Sequence, residues 1–189
     1  MRKLLLTGLV ILGLAAGAKA QKGTTLLYGN VDLTTMKDYS QVGFNPGVGF
    51  GFGENWTVGA NLGIYAAKDK NPGFQAGPFL RYTKKLSEVF SLFGQLNAGY
   101  ANVEGVFTGN MNGFPMVDGN PELKGNGFGA NITPAIFINV KNGFGVNINF
   151  GGIGFESFKY DGSSSASTFG LTFGRGAGLG ISKTFGGKK

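Results

Sequence analysis

Large apolar residues alternate with small or polar ones along several stretches of this chain. From Val42 to Phe52 every even-numbered position is apolar or Pro, and every odd-numbered position is Gly or Asn. The same period of two recurs over 56–64, 128–138 and 177–185 and predicts β-strands. Because the bulky face is apolar and the other face is small and polar, we expect a barrel with bulk facing lipid and a narrow polar lumen. The alternative is a soluble barrel that holds a lipid inside, which requires Phe and Val to point inward.

The alternation predicts eight strands, which together form one closed antiparallel up-and-down barrel. They cover 24–33, 42–52, 56–66, 74–83, 89–101 and 127–139, with a seventh beginning at Phe144 and an eighth ending at Phe185. Connections 53–55, 84–88 and 140–143 are short, whereas 34–41, 67–73, 102–126 and 156–168 are long. Short turns on one side and long loops on the other are typical of outer-membrane barrels, and this pattern predicts that both mature termini are periplasmic.

Two local features refine this prediction. The apolar residues of the seventh strand change from even to odd numbers at Gly151-Gly152, which predicts a β-bulge there. Outward aromatic residues predict two girdles at the membrane interfaces. The periplasmic girdle contains Phe52, Trp56, Tyr82, Phe90, Phe144 and Phe185, and the outer girdle contains Phe44, Phe74, Tyr100 and Phe128.

The first twenty residues are typical of a secretory signal peptide. Arg2 and Lys3 precede an apolar stretch over 4–16, and Ala18-Lys19-Ala20 offers a small-x-small cleavage site. A retained anchor helix is the alternative, but the stretch is shorter than the roughly 20 residues that a membrane span needs. We therefore expect a signal peptide over 1–20 and an outer-membrane barrel domain over 21–189.

Composition excludes several functional classes. The chain has no Cys and no His, which argues against disulfides, histidine-based triads and the usual zinc sites. Without Arg2, Lys3 and Lys19, 14 of the 17 basic residues remain against 10 acidic ones, a net charge of about +4. These basic residues are scattered, so nucleic acid is not an expected partner. The sequence predicts no catalytic, cofactor-binding or metal-binding residues and no enzyme activity.

A resemblance to a known family rests on the segments 44–50 and 77–82 and on the aromatic Phe185 at the end of the last strand. It resembles the small eight-stranded outer-membrane barrels of the OmpX and OmpA-transmembrane-domain type, a family described as outer-membrane β-barrel domain proteins. The resemblance implies a transmembrane barrel in the cell outer membrane, surrounded by lipid and lipopolysaccharide. It also implies that Phe185 is a terminal signal for the barrel-assembly machinery, although here 186–189 follow it.

Charged residues on the strands are the first candidates for function. Asp32 and Arg81 both face inward on the predicted register, and we expect them to form a charge pair that acts as a structural plug of the lumen. A gate is the alternative role for this pair. Arg175 shares the outward parity of Leu171 and Leu179, and we expect it at the outer rim, near lipopolysaccharide phosphates.

The long loop over 102–126 is the second candidate. It carries Phe107, Met111, Phe114 and Met116, and exposed apolar residues in loops often mark a partner site. Folding over the barrel mouth, or extension of the strands into a hairpin, would explain these residues equally well. The predicted function is a structural or loop-mediated interaction role with an unknown extracellular partner. The alternative is a narrow channel or a transporter of ions or small molecules.

Overall fold

A computed structural model describes residues 23–36, 39–67, 73–104, 124–162 and 164–186. They form a closed barrel in which each strand is antiparallel to its neighbours and β1 meets β8. The strands are β1 (Thr25–Met36), β2 (Tyr39–Gly51), β3 (Trp56–Ala67), β4 (Gly73–Lys85), β5 (Phe90–Glu104), β6 (Lys124–Lys141), β7 (Phe144–Tyr160) and β8 (Ala166–Phe185). The predicted eight-stranded antiparallel barrel is confirmed. Among these residues no helix is long and apolar enough to cross a membrane.

The two faces of the barrel are those that the alternation predicts. Leu62, Phe128 and Leu171 point outward and are 53%, 60% and 72% exposed. Gln95 and Asn97 point inward and are buried. Phe79, Phe93 and Phe158 are buried, but most of the described Phe side chains are exposed on the outer face. The alternative soluble barrel, which requires Phe and Val to point inward, is therefore wrong for the described strands. All ten residues of the two predicted aromatic girdles lie on the exposed outer face.

The strands extend further than predicted on the side of the long loops. Thr34 pairs with Gln41 and Phe158 pairs with Ala166, so much of the predicted loops 34–41 and 156–168 is strand. An antiparallel ladder satisfies its own backbone groups and continues where the side-chain alternation has ended. Strands β5 to β8 have 15 to 20 residues, against 12 or 13 in β1 to β4. One half of the barrel therefore projects beyond the other.

A turn of only two residues, Asn142 and Gly143, joins β6 and β7. Asn142 and Gly143 have φ angles of 50° and 76°, as a type I′ hairpin requires, and Asn-Gly is the preferred pair for this turn. The Asn139 side chain accepts a hydrogen bond from the Gly143 N–H at 3.0 Å. The predicted short connection is thus built by local sequence alone.

The predicted bulge lies in β7. Ile132 of β6 pairs with Ile153 of β7, and Ala135 pairs with Asn149. Between these two pairs β6 advances by three residues and β7 by four, so β7 contains one extra residue. Gly151 takes a φ of 109°, which a residue with a side chain adopts only under strain. The extra residue moves the outward positions from even to odd numbers and turns Glu156 toward the lumen.

Candidate functional site

A buried arginine occupies the lumen toward the short-turn end of the barrel. Arg81 of β4 is 5% exposed, and its Nε and Nη2 both donate to Oε1 of Gln95, with Nε at 2.8 Å. Its guanidinium carbon lies 4.2 Å from the ring centre of Phe93, 4.8 Å from Tyr28 and 5.7 Å from Phe79. We call Arg81, Tyr28, Phe79 and Phe93 the arginine cluster, whose side chains pack together inside the lumen.

The partners of Arg81 offset the burial of its charge without supplying a counterion. Burying such an ion costs several kcal/mol. A hydrogen bond to a charged group returns about 1.5–3 kcal/mol, and each cation–π contact about 0.5–2 kcal/mol. Among the described side chains, Gln95 and the three rings are the partners found for this guanidinium, and all of them are neutral.

The predicted pair of Asp32 with Arg81 stays a prediction, because the Asp32 side chain lies outside the described ones. The backbone places Asp32 four residues beyond Tyr28 on β1. A strand rises about 3.3 Å per residue, so Asp32 lies roughly 13 Å further along β1 than the ring that contacts Arg81.

A chain of amide side chains crosses the lumen from the arginine cluster. Gln95 Nε2 donates to Asn97 Oδ1 at 2.6 Å and to the Tyr28 hydroxyl at 3.1 Å. Asn97 Nδ2 then donates to Asn131 Oδ1 at 3.0 Å, while Asn61 Nδ2 donates to Asn97 Oδ1 at 3.0 Å. This amide chain links β3, β5 and β6, and through Arg81 and Tyr28 also β4 and β1.

The amide chain borders a chamber of about 130 Å³. Asn45, Asn147, Asn149 and Gln75 add further amides to its wall, beside Arg81 itself. On the long-loop side the lumen narrows at a second group, the outer cluster, which consists of Tyr65, Ala101 and Phe158. The Tyr65 hydroxyl donates to Asn45 Oδ1 at 2.5 Å. The polar chamber therefore lies between two aromatic constrictions.

Glycines of the inner wall allow neighbouring strands to approach closely. A Cβ on Gly59 would contact the Val48 carbonyl oxygen, and one on Gly77 would contact the Ala98 carbonyl oxygen. By contrast, Gly94 lies on the outer face of β5 between the exposed Leu92 and Leu96, and a Cβ on it would meet no atom within 4 Å. Gly59 and Gly77 are therefore needed for strand contact as well as for space in the lumen.

Glu156 is a buried acid that the sequence analysis missed. It is 8% exposed, and its Oε2 has no hydrogen-bond partner among the described residues. The sequence predicts a loop that begins at Glu156, whereas the odd outward parity of Ile153 and Phe155 continues along the strand past the bulge. That parity alone was enough to place Glu156 inside.

The closure between β1 and β8 is the least complete pairing of the barrel. Thr25–Gly29 pair with Phe185–Ile181, and no further pair follows between these two strands. Beyond Gly29 the outer face carries a groove of about 660 Å³ along this seam. Its wall is mainly apolar and includes Val31, Leu179 and Ile181.

The remaining predicted site residues stay predictions. Phe107, Met111, Phe114 and Met116 lie outside the described residues. Arg175 lies within β8, but its side chain is not among those described. Phe185 ends β8, pairs with Thr25, and has Lys183 Nζ 5.5 Å from its ring centre. Within the described ranges there is no cluster of three or more acidic residues that could hold a metal ion.

Comparison with known proteins supports the fold alone. No family model matches the sequence, and no curated protein matches it. The structure resembles the N-terminal β-barrel domain of Pseudomonas aeruginosa OprF, at 10% sequence identity and a TM-score of 0.51, over 87% of this chain and 98% of that one. It also matches the Yersinia pestis outer membrane protein Ail, at 14% identity and a TM-score of 0.42, over 87% of this chain and 100% of that one. The resemblance to small eight-stranded barrels is thus confirmed as a likeness of fold.

Proposed function

We propose that the chain is an outer-membrane barrel with a structural and loop-mediated interaction role. The observation that carries this proposal is the outer surface, where large apolar side chains remain exposed on all eight strands around a polar lumen. Burial of such a surface in hydrocarbon is favourable, and a closed barrel leaves few backbone groups unpaired there. On this proposal residues 1–20 direct export, both mature termini are periplasmic, and the barrel-assembly machinery recognises Phe185.

The interaction role rests on the unequal strand lengths. Strands β5 and β6 remain paired up to Glu104 and Lys124, whereas β3 and β4 end their pairing at Tyr65 and Gly73. The segment 105–123, with its apolar residues, therefore leaves the barrel from its projecting half. An extracellular partner would meet this half first.

Deletion of the loop tests the interaction role. Replacing 107–119 by a short Gly-Ser linker should abolish binding to a cell-surface or envelope partner while the barrel still folds. The matched control replaces 162–164, in the neighbouring connection between β7 and β8, and should leave binding intact. Equal binding by both variants would contradict the proposal.

Planar-bilayer recording tests the alternative function, a narrow channel. The arginine cluster and the outer cluster both constrict the lumen, so we expect no steady unitary conductance from the wild-type barrel. The double variant Phe93→Ala, Tyr65→Ala removes one ring at each constriction and should raise the conductance. Steady openings of the wild type would favour the channel over the structural role.

A further inference from the structure

The guanidinium of Arg81 has donor capacity that the protein leaves unused. Nε and Nη2 share a single acceptor, Oε1 of Gln95. No acceptor is found for Nη1 among the described residues, although the side chain is 95% buried, with 5% exposed, and borders the chamber. A buried cation with a free donor beside a polar cavity is a site for an acceptor of negative charge.

The amide chain adds to this preference. Starting from Arg81, each hydrogen bond runs in the same sense, because Gln95 accepts from Arg81 and donates to Asn97, and Asn97 donates to Asn131. Bonds aligned in this way polarise one another and carry positive potential away from the charge. The side chain of Asn61 also donates to Asn97, so the side-chain oxygens of Gln95, Asn97 and Asn131 all accept hydrogen bonds within the chain.

We propose that the chamber binds a small monovalent anion of chloride size, held by Arg81 Nη1 and by amide N–H groups of the wall. The chamber volume of about 130 Å³ admits an ion of this size with a few water molecules. One buried positive charge balances one negative charge, so a divalent anion would remain partly uncompensated there. The binding site goes beyond the proposed structural role and does not depend on it.

The chain itself offers a convenient probe, because residues 21–189 contain every strand and only two arginines, Arg81 and Arg175. Their Nε–Hε groups give two ¹⁵N NMR signals in uncharged detergent, and Arg175→Lys assigns the remaining one to Arg81. In the titration, chloride is added in place of gluconate at constant ionic strength. Gluconate serves as the reference anion because it is too large for the chamber. We expect a saturable shift of the Arg81 signal with a midpoint in the millimolar range, and no saturable shift for Arg175.

Asp32 supplies the opposing explanation, since its carboxylate is the counterion that the sequence predicts. If Asp32 neutralises Arg81, the wild type shows no saturable shift and Asp32→Asn acquires one, which overturns the proposal. If the anion comes from solution, Asp32→Asn binds chloride with a midpoint within about twofold of the wild type, a difference of roughly 0.4 kcal/mol. Absence of a saturable shift in both proteins would also overturn it.

Gln95→Glu provides a matched variant with nearly the same shape. Its carboxylate contacts Arg81 directly and replaces the external anion, so the saturable chloride shift should disappear. In the wild type, the urea concentration at the midpoint of unfolding should rise as chloride is added at constant ionic strength. In Gln95→Glu this midpoint should not change with chloride. This second measurement does not require a variant that lacks the arginine. Equal chloride dependence in both proteins would contradict the proposal.

Discussion

At the scale of single residues, the exposed fraction of an apolar side chain does not reveal which solvent surrounds it. Leu62 in the middle of β3 and Leu86 in the turn after β4 are 53% and 56% exposed, nearly the same fraction. If the barrel spans a membrane, Leu62 faces hydrocarbon and Leu86 lies near the interface. In a water-soluble barrel the two sites would be equivalent.

Replacing each leucine by Arg separates these cases. Leu62→Arg should destabilise the barrel by roughly 2–4 kcal/mol in phospholipid vesicles, because the charge loses water without gaining a partner. Leu86→Arg should cost about 0–1 kcal/mol near the interface. The inward neighbour Asn61→Ser loses one hydrogen bond to Asn97 and should cost about 1 kcal/mol. Urea unfolding measures all three, and equal costs for the two leucines would argue against the membrane location.

Gly77 provides a second prediction at this scale. Gly77→Ala brings a methyl group against the Ala98 carbonyl oxygen, and such overpacking typically costs about 1–3 kcal/mol. Gly94→Ala, whose Cβ would meet nothing within 4 Å, should change the free energy of unfolding by less than about 0.5 kcal/mol. The same urea titration compares the two variants. If they unfold alike, close strand approach is not the reason for glycine in β4.

At the scale of elements, the strand pairs differ in length. Strands β5 and β6 pair over the whole range from Phe90↔Ile138 to Glu104↔Lys124, whereas β1 and β8 pair only from Thr25↔Phe185 to Gly29↔Ile181. Unpaired backbone is costly in hydrocarbon, so the seam is the weakest part of the wall. We expect opening of the barrel to begin at the β1–β8 seam.

Cysteine pairs test the extent of this closure, on a chain that contains no cysteine of its own. Leu27 and Lys183 are register partners, within the Cα separation that a disulfide needs, so Leu27→Cys with Lys183→Cys should cross-link on oxidation. Val31 and Leu179 would be the partners four residues further along if the register continued. Val31→Cys with Leu179→Cys should cross-link far less, as read by electrophoresis under non-reducing conditions. Equal yields would mean that the seam is closed over its full length.

At the scale of the whole molecule, continuous pairing around the barrel predicts resistance to detergent. Seven of the eight strand pairs are long, and the shorter β1–β8 pair closes the ring. A closed ring has no free edge strand from which SDS could begin to separate the strands one by one. We therefore expect the unboiled protein to migrate faster in SDS electrophoresis than the boiled protein. The protein should also sediment with outer membranes and require detergent for extraction. Recovery from the soluble periplasmic fraction would contradict the proposed location.

The sequence by itself determined which side of the wall each residue faces. Period-two alternation placed Leu62 outside and Arg81 inside, and the change of parity at Gly151-Gly152 located the bulge. The Asn142-Gly143 pair defined its turn without help from the rest of the chain. These features follow from local geometry, because successive side chains of a strand point to opposite faces whatever the strand pairs with.

Only the tertiary structure decided which residues meet at the same height in the lumen. Tyr28 and Gln95 lie 67 positions apart and share a hydrogen bond, and Arg81 contacts rings from three strands, including its own. The sequence also did not predict the extra length of β5 to β8 or the short β1–β8 seam. Alternation reports the face of a residue but not its height along the barrel axis. That height depends on the register between strands and on the tilt that closes the ring, which are properties of the whole hydrogen-bonded ladder.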